Sequence, residues 1–310
     1  MACTFGVHLP VMELEEEPNR ESIISCAKES ERLGFDSLSA NDHLVFRRGW
    51  LDPLAALAAA ASVTTKIRLG TSIVNLVVRN PVASVKLLTS IDILSSGRLF
   101  AGVGPGSHAD DYAVVGIPFT ERWGRFFESL DLLQKLWSSE EPVVYSGRYY
   151  KLDGLSLRPR PAQCPPPIMV GSWGSEIVLR KIARTGDGWM ASAYNITPDS
   201  FSQKCKLLRK FREEVGRDAD SFENSIMSMF CYISSNEEKV HSALHDVLSP
   251  ALARKPEDLG KLLLFGSKEE CAMKIRKYVE HGANRIHFWP VADYHEQVEL
   301  LANEIIPSFT

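Results

Sequence analysis

The chain has 310 residues, 45% of them hydrophobic and 24% charged, an ordinary globular balance. With 35 Lys and Arg against 39 Asp and Glu the net charge is −4, and no basic stripe marks a nucleic-acid surface. Residues 54–61, the most apolar stretch, are too few to cross a bilayer, and the first ten residues lack a secretory leader's pattern, so a cytoplasmic location with six reduced cysteines is expected.

In chain order, short apolar runs at 4–9, 37–40, 67–73, 99–103, 168–171, 188–192, 226–233 and 284–289 read as strands. They are apolar throughout rather than alternating, as strands buried on both faces are. Amphipathic helices separate most of them. Ile23, Cys26, Ala27, Ser30 and Leu33 share one face, as do Trp123, Phe126, Phe127, Leu130 and Leu133, and near the end Val298, Leu301, Ala302 and Ile305. Asp52-Pro53 and Asn80-Pro81 each set a cap residue before a proline at the first helical position. Ser267 and Glu270 have the spacing of a capping box. Four helical segments stop at Gly34, Gly97, Gly186 and Gly282, and a strand follows within a few residues. Glycine suits the left-handed position just past a helix end.

Eight such units predict one α/β domain over residues 1–310, a (β/α)8 TIM barrel, with a doubly wound open sheet as runner-up. Two stretches exceed the repeat. Residues 142–157 read as a hairpin insertion. Residues 235–264, polar and interrupted by Pro250 and Pro256, are a candidate lid.

Chemistry in such a barrel sits where the strands end. The residues at those points are Asp42 and His43; Ser72, Ile73 and Asn75; Gly106 and Ser107; Gly171, Ser172, Trp173 and Gly174; and Ser192. Residues 171–174 open a helix, so free N–H groups and the helix dipole suit an anion there, although a tight turn explains the same residues equally well. Asp42 and His43 read as an acid/base pair, as metal ligands or as capping residues. The other histidines complete no metal set, since only His8 and His108 fall near strand ends. A G-x-G-x-x-G pattern fails at Ser107, and no Walker A, H-E-x-x-H or G-x-S-x-G sequence is present, which argues against a nucleoside triphosphatase, a zincin or an α/β-hydrolase.

Over nearly its whole length the sequence resembles the luciferase-like flavin and deazaflavin oxidoreductases. The resemblance is carried by Glu31-Arg32-Leu33-Gly34-Phe35-Asp36 with Asp42-His43-Leu44, by Ile67-Arg68-Leu69-Gly70-Thr71 with Arg79-Asn80-Pro81, by Ser95-Ser96-Gly97-Arg98 with Gly102-Val103-Gly104, by Gly116-Ile117-Pro118 and by Ala183-Arg184-Thr185-Gly186-Asp187-Gly188. It implies a luciferase-like barrel with a cofactor ring across its mouth. The ring would meet Asp42, Ser72, Ile73, Asn75, Gly106 and Ser107, and a phosphate would sit near Gly171, Ser172, Trp173, Gly174 and Ser192. Gly70-Thr71-Ser72-Ile73 has the form of the branch that uses the 5-deazaflavin coenzyme F420, with a non-prolyl cis bond between Ser72 and Ile73. His43 and Asp42 align with catalytic or ring-contacting positions of sugar-phosphate dehydrogenases in that branch. Ser107 departs from it, standing where those enzymes place an acid.

The resemblance implies hydride transfer between F420 and a small organic substrate, with no metal, and a homodimer. The alternatives are an FMN-dependent monooxygenase supplied by a partner flavin reductase, and a non-catalytic flavin-binding paralogue, since a fold does not fix a function.

Overall fold

A computed structural model describes residues 3–309. Its frame is eight parallel strands: Thr4–His8 (β1), Ser37–Ala40 (β2), Arg68–Thr71 (β3), Leu99–Gly104 (β4), Ile168–Gly171 (β5), Gly188–Ser192 (β6), Glu223–Ile233 (β7) and Arg285–Pro290 (β8). Each pairs with the next, and β8 returns to β1 in a register running from Thr4 with Arg285 to Val7 with Phe288. The sheet is a closed barrel with helices around it, which excludes the open sheet. All eight expected strands take part.

The strands are apolar on both faces because both are covered. Outward residues such as Phe5, Val7, Leu38, Val103 and Phe288 join the large core under the helices. Inward, Phe100, Met169, Met190 and Met227 form a second, small core with Ile73 packed against it. Glycine makes the inner packing feasible. A Cβ at Gly70 would stand 2.0 Å from the Phe100 ring, and one at Gly6 would stand 2.5 Å from His287.

The helix signals hold in their detail at every position but Gly186. Asp52 and Asn80 cap Pro53–Ala61 and Pro81–Leu94, and Ser267 with Glu270 forms the capping box of Lys268–Glu280. Gly34, Gly97 and Gly282 have φ between 80° and 97°. Gly186 does not fit that pattern: its φ is −89°, an extended conformation, and a Cβ there would approach the Gly188 carbonyl oxygen at 3.3 Å. The glycine at this junction serves close approach.

Three further elements refine the sequence reading. The third strand is shorter than 67–73, because the ladder stops at Thr71; the Ser72–Ile73 peptide is cis, and Val74–Asn75 re-pairs with Val103 and Gly104. Residues 142–157 contain the antiparallel hairpin Val143–Ser146 with Lys151–Leu155. The 235–264 stretch, weakly patterned in sequence, is helical: Glu237–Ser242 widens into a π-helix at Ala243–Leu248, and Ser249–Leu252 and Pro256–Leu262 follow. A strand missed in the sequence, Leu264–Gly266, then pairs with the end of β7. Among the described residues no helix is long and apolar enough to cross a membrane.

Candidate active site

Asp42 follows β2, and its carboxylate is fully engaged. Arg79 donates to both oxygens at 2.7 Å, and the Asn75 N–H donates to Oδ2 at 3.0 Å. The side chain of Asp42 is 1% exposed. Arg79 also reaches Asp52, the cap of Pro53–Ala61, at 2.7 Å. Burial disfavours the Arg79 charge, but Asp42 and Asp52 outweigh it and hold its pKa above the ordinary value. The structure thus holds Asp42 as a clamp that fixes the backbone of Asn75.

His43, one residue on, is placed differently. Its Nδ1 lies 2.8 Å from Oδ2 of Asp111, whose other oxygen accepts from the N–H groups of Leu44 and Val45 at 2.8 and 3.0 Å. Burial tends to raise the Asp111 pKa, yet the bonds from His43 and the two amides bring it below the usual carboxylate value. An ionised carboxylate only accepts, so Nδ1 carries the ring proton and Nε2 is free to take another. Trp50 and Phe46 pack on the imidazole at 4.6 and 4.7 Å, and His108 lies at 5.6 Å.

Across the mouth, Gly171–Gly174 forms a turn before helix Glu176–Thr185. Gly174 has φ +78°, and a Cβ there would lie 2.5 Å from the Lys204 side chain. Ser172 is held by Trp189, whose Nε1 donates to its carbonyl and hydroxyl oxygens at 3.1 Å. Ser175 supplies no side-chain cap, so the first N–H groups of the helix stay free, as an anion site requires. Trp173 is 63% exposed. The Ser192 hydroxyl, on neighbouring β6, accepts from Asn195 at 3.1 Å. Ser107, next to Gly106, is exposed.

The sequence left three partners unassigned. Asp110 and Asp111 both follow the fourth strand with nothing to choose between them; Arg79 is part of a motif without a stated role; and Lys204 belongs to no motif. Only the fold brings them to the site.

His8 Nε2, Ser39 Oγ, Asn41 Oδ1, Ser72 Oγ, Asn75 Nδ2 and Trp289 Nε1 are shielded from solvent without a hydrogen-bond partner, all at or just past the ends of β1, β2, β3 and β8. Native proteins rarely leave such groups unpaired; six of the eleven found among the described residues lie at this end of the barrel, and a ligand rich in donors and acceptors would pair them. Gly106, with φ +66°, keeps room beside the Asn75 amide, where a Cβ would lie 2.5 Å from Nδ2.

The family model of the luciferase-like monooxygenases matches residues 3–285. An F420-dependent glucose-6-phosphate dehydrogenase of Intrasporangium calvum is 32% identical over 286 residues, covering 83% of this chain and 85% of that protein. An uncharacterized protein of Mycobacterium tuberculosis is 34% identical over 168 residues, so the match spans 54% of this chain and 58% of that relative. Among solved structures, an F420-dependent secondary alcohol dehydrogenase in complex with an F420–acetone adduct superposes with TM-score 0.89 and 19% identity over all of both chains. The oxygenating constituent of a Pseudomonas putida 3,6-diketocamphane monooxygenase, in complex with FMN, gives 0.77 and 18% over 100% of this chain and 99% of its own. At these identities the two structures speak for the barrel alone.

Proposed function

Since the chain belongs to the luciferase-like monooxygenase family, we propose that it is an oxidoreductase that moves a hydride between coenzyme F420 and a small organic substrate. The observation that carries this reading is His43, held through Nδ1 by a buried, ionised Asp111 next to unpartnered polar atoms of β2 and β3. The F420-dependent relative supports the choice of cofactor.

F420, when bound, supplies the ring carbon, C5, that takes or gives the hydride. The remaining work falls to the chain. Ser72, Ile73, Asn75 and Gly106 hold the ring, with Asn75 fixed by the Asp42–Arg79 clamp. Gly171, Ser172, Trp173 and Gly174 hold the phosphate, with Ser192 beside them and Lys204 adding positive charge. As the substrate loses its hydride, His43 Nε2 takes the proton from its oxygen, and Asp111 stabilises the resulting imidazolium; in the reverse direction His43 returns that proton. Residues 235–264 act as a lid over the β6 side, where Arg254 donates to Asn195 at 3.3 Å. A homodimer working in the cytoplasm completes the reading.

Titrating the purified protein with F420 and, in parallel, FMN tests it, with quenching of the six tryptophans as the signal. Saturable binding of F420 in preference to FMN is expected. Preference for FMN would replace the reading with a monooxygenase fed by a flavin reductase, and binding of neither would replace it with a non-catalytic paralogue.

A further inference from the structure

Hydride transfer as proposed leaves one pair of rings at the mouth unused. His8 ends β1 and Trp289 lies in β8, each two residues beyond an inward-facing position, Gly6 and His287, so both turn into the barrel. The rings stack with centroids 3.5 Å apart and planes 9° apart, and Phe230 also stacks on Trp289, at 4.5 Å. His8 Nδ1 lies 2.8 Å from the Leu9 carbonyl oxygen, which can only accept. Nδ1 therefore carries the proton, and Nε2 is a bare lone pair. Burial keeps the ring neutral, with its pKa pushed down to about 3.

Neither Nε2 of His8 nor Nε1–H of Trp289 has a partner, and the two residues are 0% and 1% exposed. One acceptor and one donor on adjacent stacked rings match a hydroxyl, which gives its hydrogen to the first and accepts from the second. A carbonyl satisfies only the indole, and an ammonium only the imidazole. Trp289, though not His8, also borders a cavity of about 530 Å³ between the segments that follow β1 and β8, whose lining includes Met12, Pro290, Glu15, Glu16, Glu17 and His295. Trp50 separates the pair from His43, meeting Trp289 edge-on at 6.1 Å and His43 at 4.6 Å.

We infer that His8 and Trp289 together recognise a second hydroxyl of the substrate, remote from the carbon that exchanges hydride, and that the acidic cavity wall restricts the site to uncharged or cationic molecules. This inference rests on the hydride-transfer reading. The reacting oxygen belongs to His43; His8 and Trp289 set which molecule is held and exchange no proton with it. A phosphate ester meets the carboxylates of the cavity and is rejected.

The test uses the F420-loaded protein with ¹⁵N-labelled tryptophan, titrated with butanediol and hexanediol, with butanol and hexanol as matched single-hydroxyl probes, and with glucose 6-phosphate. A diol is expected to shift the Trp289 indole signal, identified by its loss in Trp289→Phe. It should bind about tenfold more tightly than its single-hydroxyl match, the worth of two neutral hydrogen bonds. His8→Phe keeps a stacked ring without an acceptor, so it should remove that preference and leave F420 affinity unchanged. Glucose 6-phosphate should leave the signal in place. Equal binding of diol and single alcohol, a preference that survives His8→Phe, or a Trp289 signal moved by glucose 6-phosphate overturns the inference. So does a signal that no alcohol moves, which means the pair holds an internal water. Failure of F420 to bind counts instead against the hydride-transfer reading, and the diol comparison on the unloaded protein then still reads the His8–Trp289 pair.

Discussion

The mouth of the barrel has two unlike sides. Around β2 and β3 the carboxylates are buried and already paired: Asp42 with Arg79, and Asp111 with His43. Around β5 and β6 the same rim is a glycine turn, an uncapped helix start, an exposed Trp173 and a half-buried Lys204. The first side is preorganised, so the orientation of its groups costs nothing when a ligand arrives. The second offers N–H groups and one lysine, whose amine donates to Ser200 at 3.2 Å, which suits grip on a charged tail more than control of a reacting atom. The difference assigns chemistry to one side and affinity to the other, and substitutions on each side should separate the two.

The sharpest separation comes from His43→Ala. Hydride transfer should fall by roughly 10²–10⁴, the usual worth of a positioned acid/base, while F420 affinity changes little. Asp111→Asn should follow in the same direction, because an amide can present an N–H to Nδ1 and favour the wrong tautomer. Stopped-flow reduction of F420 beside equilibrium titration reads both quantities. Equal losses in rate and affinity would make His43 a binding contact and erase the distinction between the sides.

Arg79→Met tests preorganisation itself. It leaves the Asp42 carboxylate buried without its guanidinium, and breaking a buried pair in this way costs about 3–5 kcal/mol. Chemical denaturation should show that loss, and the double variant with Asp42→Asn should recover part of it. A variant as stable as the parent would mean that the pair is screened by water and that Asn75 is fixed by other contacts.

On the opposite side, Gly174→Val drives a side chain into Lys204 and demands a branched residue at φ +78°. F420 affinity should drop well over tenfold with the intrinsic rate at saturation preserved. Lys204→Ala should cost less, about 1 kcal/mol or roughly fivefold, since the lysine adds one partly exposed charge to the backbone donors. A fall in saturated rate in either variant would show that this side also orients the ring.

The frame of this division was legible in the chain. Eight apolar runs, the caps at Asp52, Asn80 and Ser267, and glycines 34, 97 and 282 are local signals with local causes, and the structure keeps all of them. The Ser72–Ile73 bond was readable only through resemblance. The pairing of the site was not readable at all. Asp42 and Arg79 lie 37 residues apart, and His43 and Asp111 lie 68 apart. Nothing in either neighbourhood says which carboxylate meets which base, because closure of the barrel decides it. Residues 235–264 were obscure for another reason: their helices are short, one is a π-helix, and two prolines interrupt the spacing that periodicity needs.

A further effect lies where the two sides meet the barrel axis, at His8, and it appears on a pH scale. Its folded pKa is near 3, against about 6.5 for an unfolded histidine. Between those values the unfolded chain binds the extra proton, so stability rises with pH through this window and is lost as pH falls from about 6.5. One such group contributes a slope of up to about 1.4 kcal/mol per pH unit. Asp111 adds a slope of the same sign lower down, since its depressed carboxyl loses its contribution as pH falls through its folded value. His287, buried and likewise held well below the ordinary value, adds to the upper component, so His8→Phe removes only His8's share of it. Its denaturation midpoint between pH 6.5 and 4.5 should therefore fall less steeply than the parent's, while His43→Ala, which leaves His8 in place, keeps the steep dependence. Parallel curves for His8→Phe and the parent would mean that the imidazole is reached by water and titrates normally in the folded barrel, and its bare nitrogen would then not be reserved for a ligand.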